Sequence, residues 1–130
     1  MNVMRAFRQL GLAAALACSS GCVFLVGAGA GAGAIAYAKG KLNATEAASL
    51  NKVWTASLTA VEELDYVVTE TNKQSVSAVI IGRNQSDERL EVTMKSITDK
   101  STELGIRAGT IGDEERSRLV LDRIRRHLKD

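Results

Sequence analysis

Side chains that could act as nucleophiles, metal ligands or acid–base groups are sparse and unevenly placed. The 130 residues contain two cysteines, Cys18 and Cys22, and one histidine, His127. A lone histidine cannot assemble a metal cluster or a catalytic triad. His127 follows Arg123, Arg125 and Arg126 and precedes Lys129, so it reads as part of a solvated, basic helix terminus. Glu62-Glu63-Asp65 and Asp113-Glu114-Glu115 fall on a helix surface and at a helix start, not in the paired arrangement that acid–base catalysis uses. Gly105, Gly109 and Gly112 lack phosphate-loop spacing and suggest a β-bulge or a helix-start role. Trp54, the single tryptophan, lies on an apolar helical stripe and reads as core. Asn43-Ala44-Thr45 and Asn84-Gln85-Ser86 match a glycosylation sequon by chance. This inventory predicts no enzyme, no metal and no cofactor.

The chemistry that remains is at the N-terminus. Arg5 and Arg8 form a positive segment, and Leu10 to Ala17 a short apolar run. Ser19-Ser20-Gly21 then lead to Cys22. This order is that of an export signal, with an apolar run too short to cross a bilayer alone. Ser20-Gly21-Cys22 resembles the end of a bacterial lipobox, in which a small residue precedes the cysteine that receives diacylglycerol. Ser19 stands where that pattern usually has Leu. Cys18, after Ala15-Leu16-Ala17, is the alternative site. The resemblance implies cleavage before Cys22 and acylation of it, and two or three acyl chains hold a protein on a membrane. Val23 after the cysteine, by resemblance to sorting in enteric bacteria, favours the outer membrane over the inner.

Cleavage would change the charge balance. Removing Arg5 and Arg8 lowers the 17 basic side chains to 15, against 15 acidic ones, so the formal charge of +2 falls to zero. Nucleic-acid binding, which rests on a basic surplus, is not expected.

Residues 22–39 follow the 1–21 signal. Val23-Phe24-Leu25-Val26 precede alternating Gly and Ala up to Ala34. Three readings stay open for this segment. It is a Gly-rich tether, or a membrane helix packed through Gly27/Gly31 and Gly29/Gly33 at small-xxx-small spacing, or part of an uncleaved anchor running from residue 10 to residue 38. The second reading carries a homo-oligomer with it.

Residues 40–130 must supply the folded part. Lys39 to Ala44 reads as a short edge strand, and Thr45 as the N-cap of a helix with Glu46 in its first turn. Leu50, Val53, Trp54, Leu58, Val61 and Leu64 recur at helical spacing. Four β-prone runs follow: Tyr66–Thr71, Val76–Gly82, Arg89–Thr98 and Thr102–Ile111. Val76, Ala78 and Ile80 share one face of the second, Leu90, Val92, Met94 and Ile97 one face of the third, and Leu104, Ile106 and Ala108 one face of the fourth. Asp113 caps a last helix whose stripe is Leu119, Val120, Ile124 and Leu128. The expected fold is α+β, a small antiparallel sheet of four to five strands with two helices on one face, in the order β-α-β-β-β-β-α.

Several segments taken together resemble a family. They are the lipobox end, the Gly-Ala run leading to Tyr37-Ala38-Lys39-Gly40, the helix with Ala48-Ser49-Leu50 and Val53-Trp54, and Ile106 to Asp113. In these the chain is similar to an uncharacterised family of small Gram-negative lipoproteins, domain of unknown function 3568. The resemblance implies no activity, substrate or catalytic residue. The function expected is that of an envelope lipoprotein facing the periplasm. Acylated Cys22 would hold it to membrane lipid, and the small domain would be open to an envelope protein partner. A glycine-zipper oligomer and a small ligand-binding domain are the alternatives.

Overall fold

A computed structural model describes residues 35–129. Six strands and two helices follow one another along this segment: β1 (Ile35–Ala38), β2 (Lys41–Glu46), α1 (Leu50–Glu63), β3 (Val67–Lys73), β4 (Ser77–Arg83), β5 (Arg89–Thr98), β6 (Ser101–Ala108) and α2 (Glu114–Lys129). The fold is α+β, as expected, with one more strand in the order β-β-α-β-β-β-β-α. The strands form one antiparallel sheet in the order β1-β2-β6-β5-β4-β3.

The extra strand, β1, lies in the segment read as a tether, so the sheet begins before position 40. Lys39 and Gly40 form the two-residue turn between β1 and β2, both with positive φ (54° and 78°). Such a turn matches the right-handed twist of a hairpin. With β1 alongside it, β2 is an inner strand and not the expected edge. It also runs on through Thr45 and Glu46, which were expected to start the helix. Leu42, Ala44 and Glu46 alternate inward, so the pairing with β6 continues to Glu46↔Thr102. The N-cap of α1 is Ser49, whose hydroxyl accepts from Lys52 N–H at 3.3 Å. Asp113 caps α2 as expected, accepting from Arg116 N–H at 3.0 Å.

The core lies between one sheet face and the helices. Leu42, Ile80, Leu90, Val92, Leu104 and Ile106 from the strands meet Val53, Val61, Val120 and Ile124 from the helices, all essentially inaccessible. Trp54 and Leu128 are partly buried against this cluster. Leu119, placed on the α2 stripe in the sequence reading, is exposed, and Leu121 is buried in its place. Two other inward assignments also fail. Val76 precedes β4 and is exposed; Ile97, three residues after Met94, falls by strand alternation on the face opposite Leu90, Val92 and Met94, beside the register shift between Ser96 and Thr98. The last strand ends at Ala108, and Ile111 is 91% exposed in the loop before α2.

The strands define two ends of the domain. At the Gly40 end lie the β1–β2 turn, the loop of residues 84–88 and the start of α2. At the Ile35 end lie the start of β1, the β3–β4 and β5–β6 turns and the last turn of α2.

Candidate functional site

Two fastenings hold the terminal elements, and they differ in kind. At the Gly40 end, Gly40 packs backbone to backbone against Ile111 and Gly112. A methyl group on either glycine would overlap the other segment. Gly112 itself has φ +99°. Arg107 donates from Nη2 to the Lys39 carbonyl at 3.0 Å. This turn and the loop before α2 thus close on each other without an apolar side chain between them. Gly109 has φ +78° but open space around it, so it serves the turn alone. Gly105 is neither at a bulge nor at a helix start. It lies inside the β6 ladder, and its missing side chain leaves room for Lys41 to lie across the sheet beside Thr93.

At the Ile35 end the fastening is polar and buried. Glu46, 6% exposed, accepts from Arg125 Nε at 2.8 Å. Beside it the Thr102 hydroxyl donates to the Ala48 carbonyl at 2.8 Å. A carboxylate this far from water is tolerable only with such a partner. The contact ties the end of β2 to α2 just before its last turn, across a sequence separation of 79 residues. The Arg125 Nη2 atom is buried without a hydrogen-bond partner.

A third cluster joins the helices. Arg123 donates from Nη1 to Glu63 Oε2 at 2.9 Å. His127 Nε2 lies 2.7 Å from Glu63 Oε1, close enough for an ion pair but not aligned as a hydrogen bond. His127, and to a lesser degree Arg123, hold the Glu63 carboxyl below its usual titration range. His127 is therefore half-buried against a carboxylate, and not the free solvated group expected.

Three surface clefts accompany these clusters. One, of about 320 Å³, is bounded by Leu64, Tyr66, the loop of residues 84–86, Arg116 and Leu119. Arg116 there also pairs with Glu88. Tyr66 foremost, and Glu88 and Asp113 more weakly, raise its already high pKa further. The second, of about 480 Å³, lies along α2 from Asp113 to Asp122. The third, also about 480 Å³, runs between Asn51, Thr55 and Thr59 of α1 and His127 and Leu128 of α2. All three are open to solvent, unlike the enclosed pockets that retain small molecules. Trp54 lines none of them. Among the described residues, no group of three or more His, Cys, Asp or Glu side chains is placed to hold a metal ion.

Cys22, the alternative Cys18, and Gly27, Gly29, Gly31 and Gly33 all lie outside the described residues. The structure brings together pairings that the sequence reading missed, among them Glu46 with Arg125 and Glu63 with Arg123. Both join residues far apart in sequence, and no local spacing signals either.

The chain belongs to the family described as protein of unknown function DUF3568, which it matches over residues 6–127. No curated protein matches it.

Proposed function

We propose that this DUF3568 chain is a membrane-anchored lipoprotein of the bacterial cell envelope. Acylated Cys22 holds it to lipid, on the outer membrane, and its α+β domain faces the periplasm as a non-catalytic interaction module. The observation that carries the reading is the order of residues 5–22: two arginines, an apolar run, small residues and then cysteine. The domain's construction is compatible with it. Its interior is filled by side chains, and several of its ionisable groups, Glu46 with Arg125, Glu63 with Arg123 and Glu88 with Arg116, are paired in fastening elements.

The test is metabolic lipid labelling with intact-mass analysis of the wild type, Cys22→Ala and Cys18→Ala in a Gram-negative host. Label and a mass for lipid plus residues 22–130, lost only in Cys22→Ala, is the expected result. An unlabelled, full-length membrane protein would overturn it. It would favour a glycine-zipper helix through Gly27, Gly29, Gly31 and Gly33, in which Gly29→Leu with Gly31→Leu should abolish oligomers in detergent.

A further inference from the structure

The Ile35 end of the domain carries an excess of exposed basic side chains, although the side chains after residue 21 sum to zero. At the Gly40 end the charges balance: Asp113, Glu114 and Glu115 at the start of α2 and Asp87 and Glu88 of the neighbouring loop lie among Lys39, Arg83, Arg89, Arg107 and Arg116. At the Ile35 end the exposed charges are mostly basic. Lys73 closes β3, Lys100 lies in the β5–β6 turn, and Arg126 and Lys129 lie in the last turn of α2. Among the described residues the acids at this end are few. Glu46 is buried and occupied by Arg125, Asp99 is exposed in the same turn as Lys100, and Glu103 stands opposite Lys95 one step into the sheet.

The helix dipole accounts for basic residues at the end of α2. It does not account for Lys73 and Lys100, which sit on strand connections. The same connections expose two large apolar side chains, Val76 at 61% and Ile97 at 54%, bridged by the Ser96 N–H to Val76 carbonyl hydrogen bond. Ile35, 39% exposed, starts the strand at the opposite edge of this end. Apolar tips ringed by long basic side chains are the composition that enters an anionic headgroup layer, with the cations kept at the phosphates. The Gly40 end also exposes Ile111 and Leu119, but Leu119 lies among charges of both signs, Asp113, Glu115, Arg116 and Arg118, with no basic ring around it.

We propose that the Ile35 end of the domain rests on an anionic phospholipid surface, with Val76 and Ile97 among the headgroups and Lys73, Lys100, Arg126 and Lys129 against their phosphates. The proposal rests on the lipoprotein reading for its direction of approach. The chain from Cys22 joins the domain at Ile35, so an anchored bilayer meets this end first. The Glu46–Arg125 contact holds α2 in place just before its last turn, and the charge-balanced Gly40 end is turned toward the periplasm.

The test uses the full-length acylated chain, with a fluorescent non-canonical residue at Ile97 or at Ile111. The chain is reconstituted in phosphatidylethanolamine–phosphatidylglycerol vesicles carrying a doxyl-lipid quencher. The expected result is quenching several-fold greater at position 97 than at position 111. The difference should be lost in Lys73→Glu/Lys100→Glu/Arg126→Glu and in phosphatidylcholine vesicles, while circular dichroism stays unchanged. Equal quenching at the two positions, or a difference that survives charge reversal, would overturn the proposal. Flotation separates the two readings. A chain that floats with the vesicles but is unquenched at position 97 refutes the seated domain and leaves the anchor standing; a chain that does not float refutes both.

Discussion

At the Gly40 end of the sheet, two glycine backbones touch and side chains are excluded. At the Ile35 end, a buried carboxylate and a guanidinium meet across 79 residues of sequence. Each contact fixes a terminal element to the sheet: the first the β1–β2 hairpin, the second the last helix. They fail in different ways. A backbone contact admits no substitution that adds a Cβ, because nothing can rotate away. A buried ion pair tolerates replacement of both partners but not of one, since the survivor is left unpaired in a dry site.

The sharpest way to break this contrast is to add one methyl group. Gly112→Ala combines overlap with Gly40 and a φ of +99°, and should cost about 3–5 kcal/mol, read by chemical denaturation. Gly109→Ala, with positive φ but free space, should cost only about 1–2 kcal/mol. Equal losses would show that the conformation matters and the backbone contact does not. At the other end, Arg125→Ala should cost about 2–3 kcal/mol, the buried-pair figure reduced because Arg125 is a quarter exposed. Glu46→Met with Arg125→Leu should recover stability to within about 1 kcal/mol of the wild type. A double variant as weak as the single one would refute the charge-burial account.

Smaller effects test the helix pair between the two ends. The Ser57 and Ser117 hydroxyls are buried with no partner. Ser57→Ala should therefore stabilise by about 1 kcal/mol, from a removed unsatisfied group and better helix propensity. A loss on denaturation would imply a hydrogen bond to bound water. The smallest effect is acid dependence at Glu63. Its folded-state pKa lies below the unfolded value, so its contribution is present above the ordinary carboxylate value of 4.5 and is lost as pH falls through the depressed one. Melting temperatures of the wild type and Glu63→Gln should differ at neutral pH and converge at strongly acid pH. A constant gap would exclude the ionised carboxylate as the cause.

The α+β class, the last helix and the inward faces of β5 and β6 were legible because alternation and end charges there are unambiguous. Leu90, Val92 and Met94 face polar neighbours across each step, and Asp113 caps where its side chain predicts. β1 was not legible: Ile35 and Tyr37 alternate with Ala36 and Ala38, and four apolar residues give no polar phase to read. Ile97 breaks the alternation by itself: three residues after Met94, it has the parity of the outward residues, and its apolar type alone suggested the core. Leu119, Val120 and Leu121 are consecutive and apolar, so the helical stripe was ambiguous by one residue until the sheet decided it. The Cys22 motif, outside the described residues, is a pattern of short-range spacing, the kind of signal a sequence can carry. The Glu46–Arg125 contact depends on folding and is not such a signal.

The strand order also sets a timetable. The β3–β6 meander joins neighbours in sequence, whereas β2 must wait for β6, with Leu42 opposite Ile106. A chain appearing N-terminus first therefore holds its β1–β2 hairpin unattached while more than half of the domain emerges behind it. In pulse-labelled refolding, Ile80 and Val92 amides should gain protection before those of Leu42 and Ala44. The hairpin nearest the N-terminal segment is then the last piece to dock, and its closure onto Gly112 marks the completed domain.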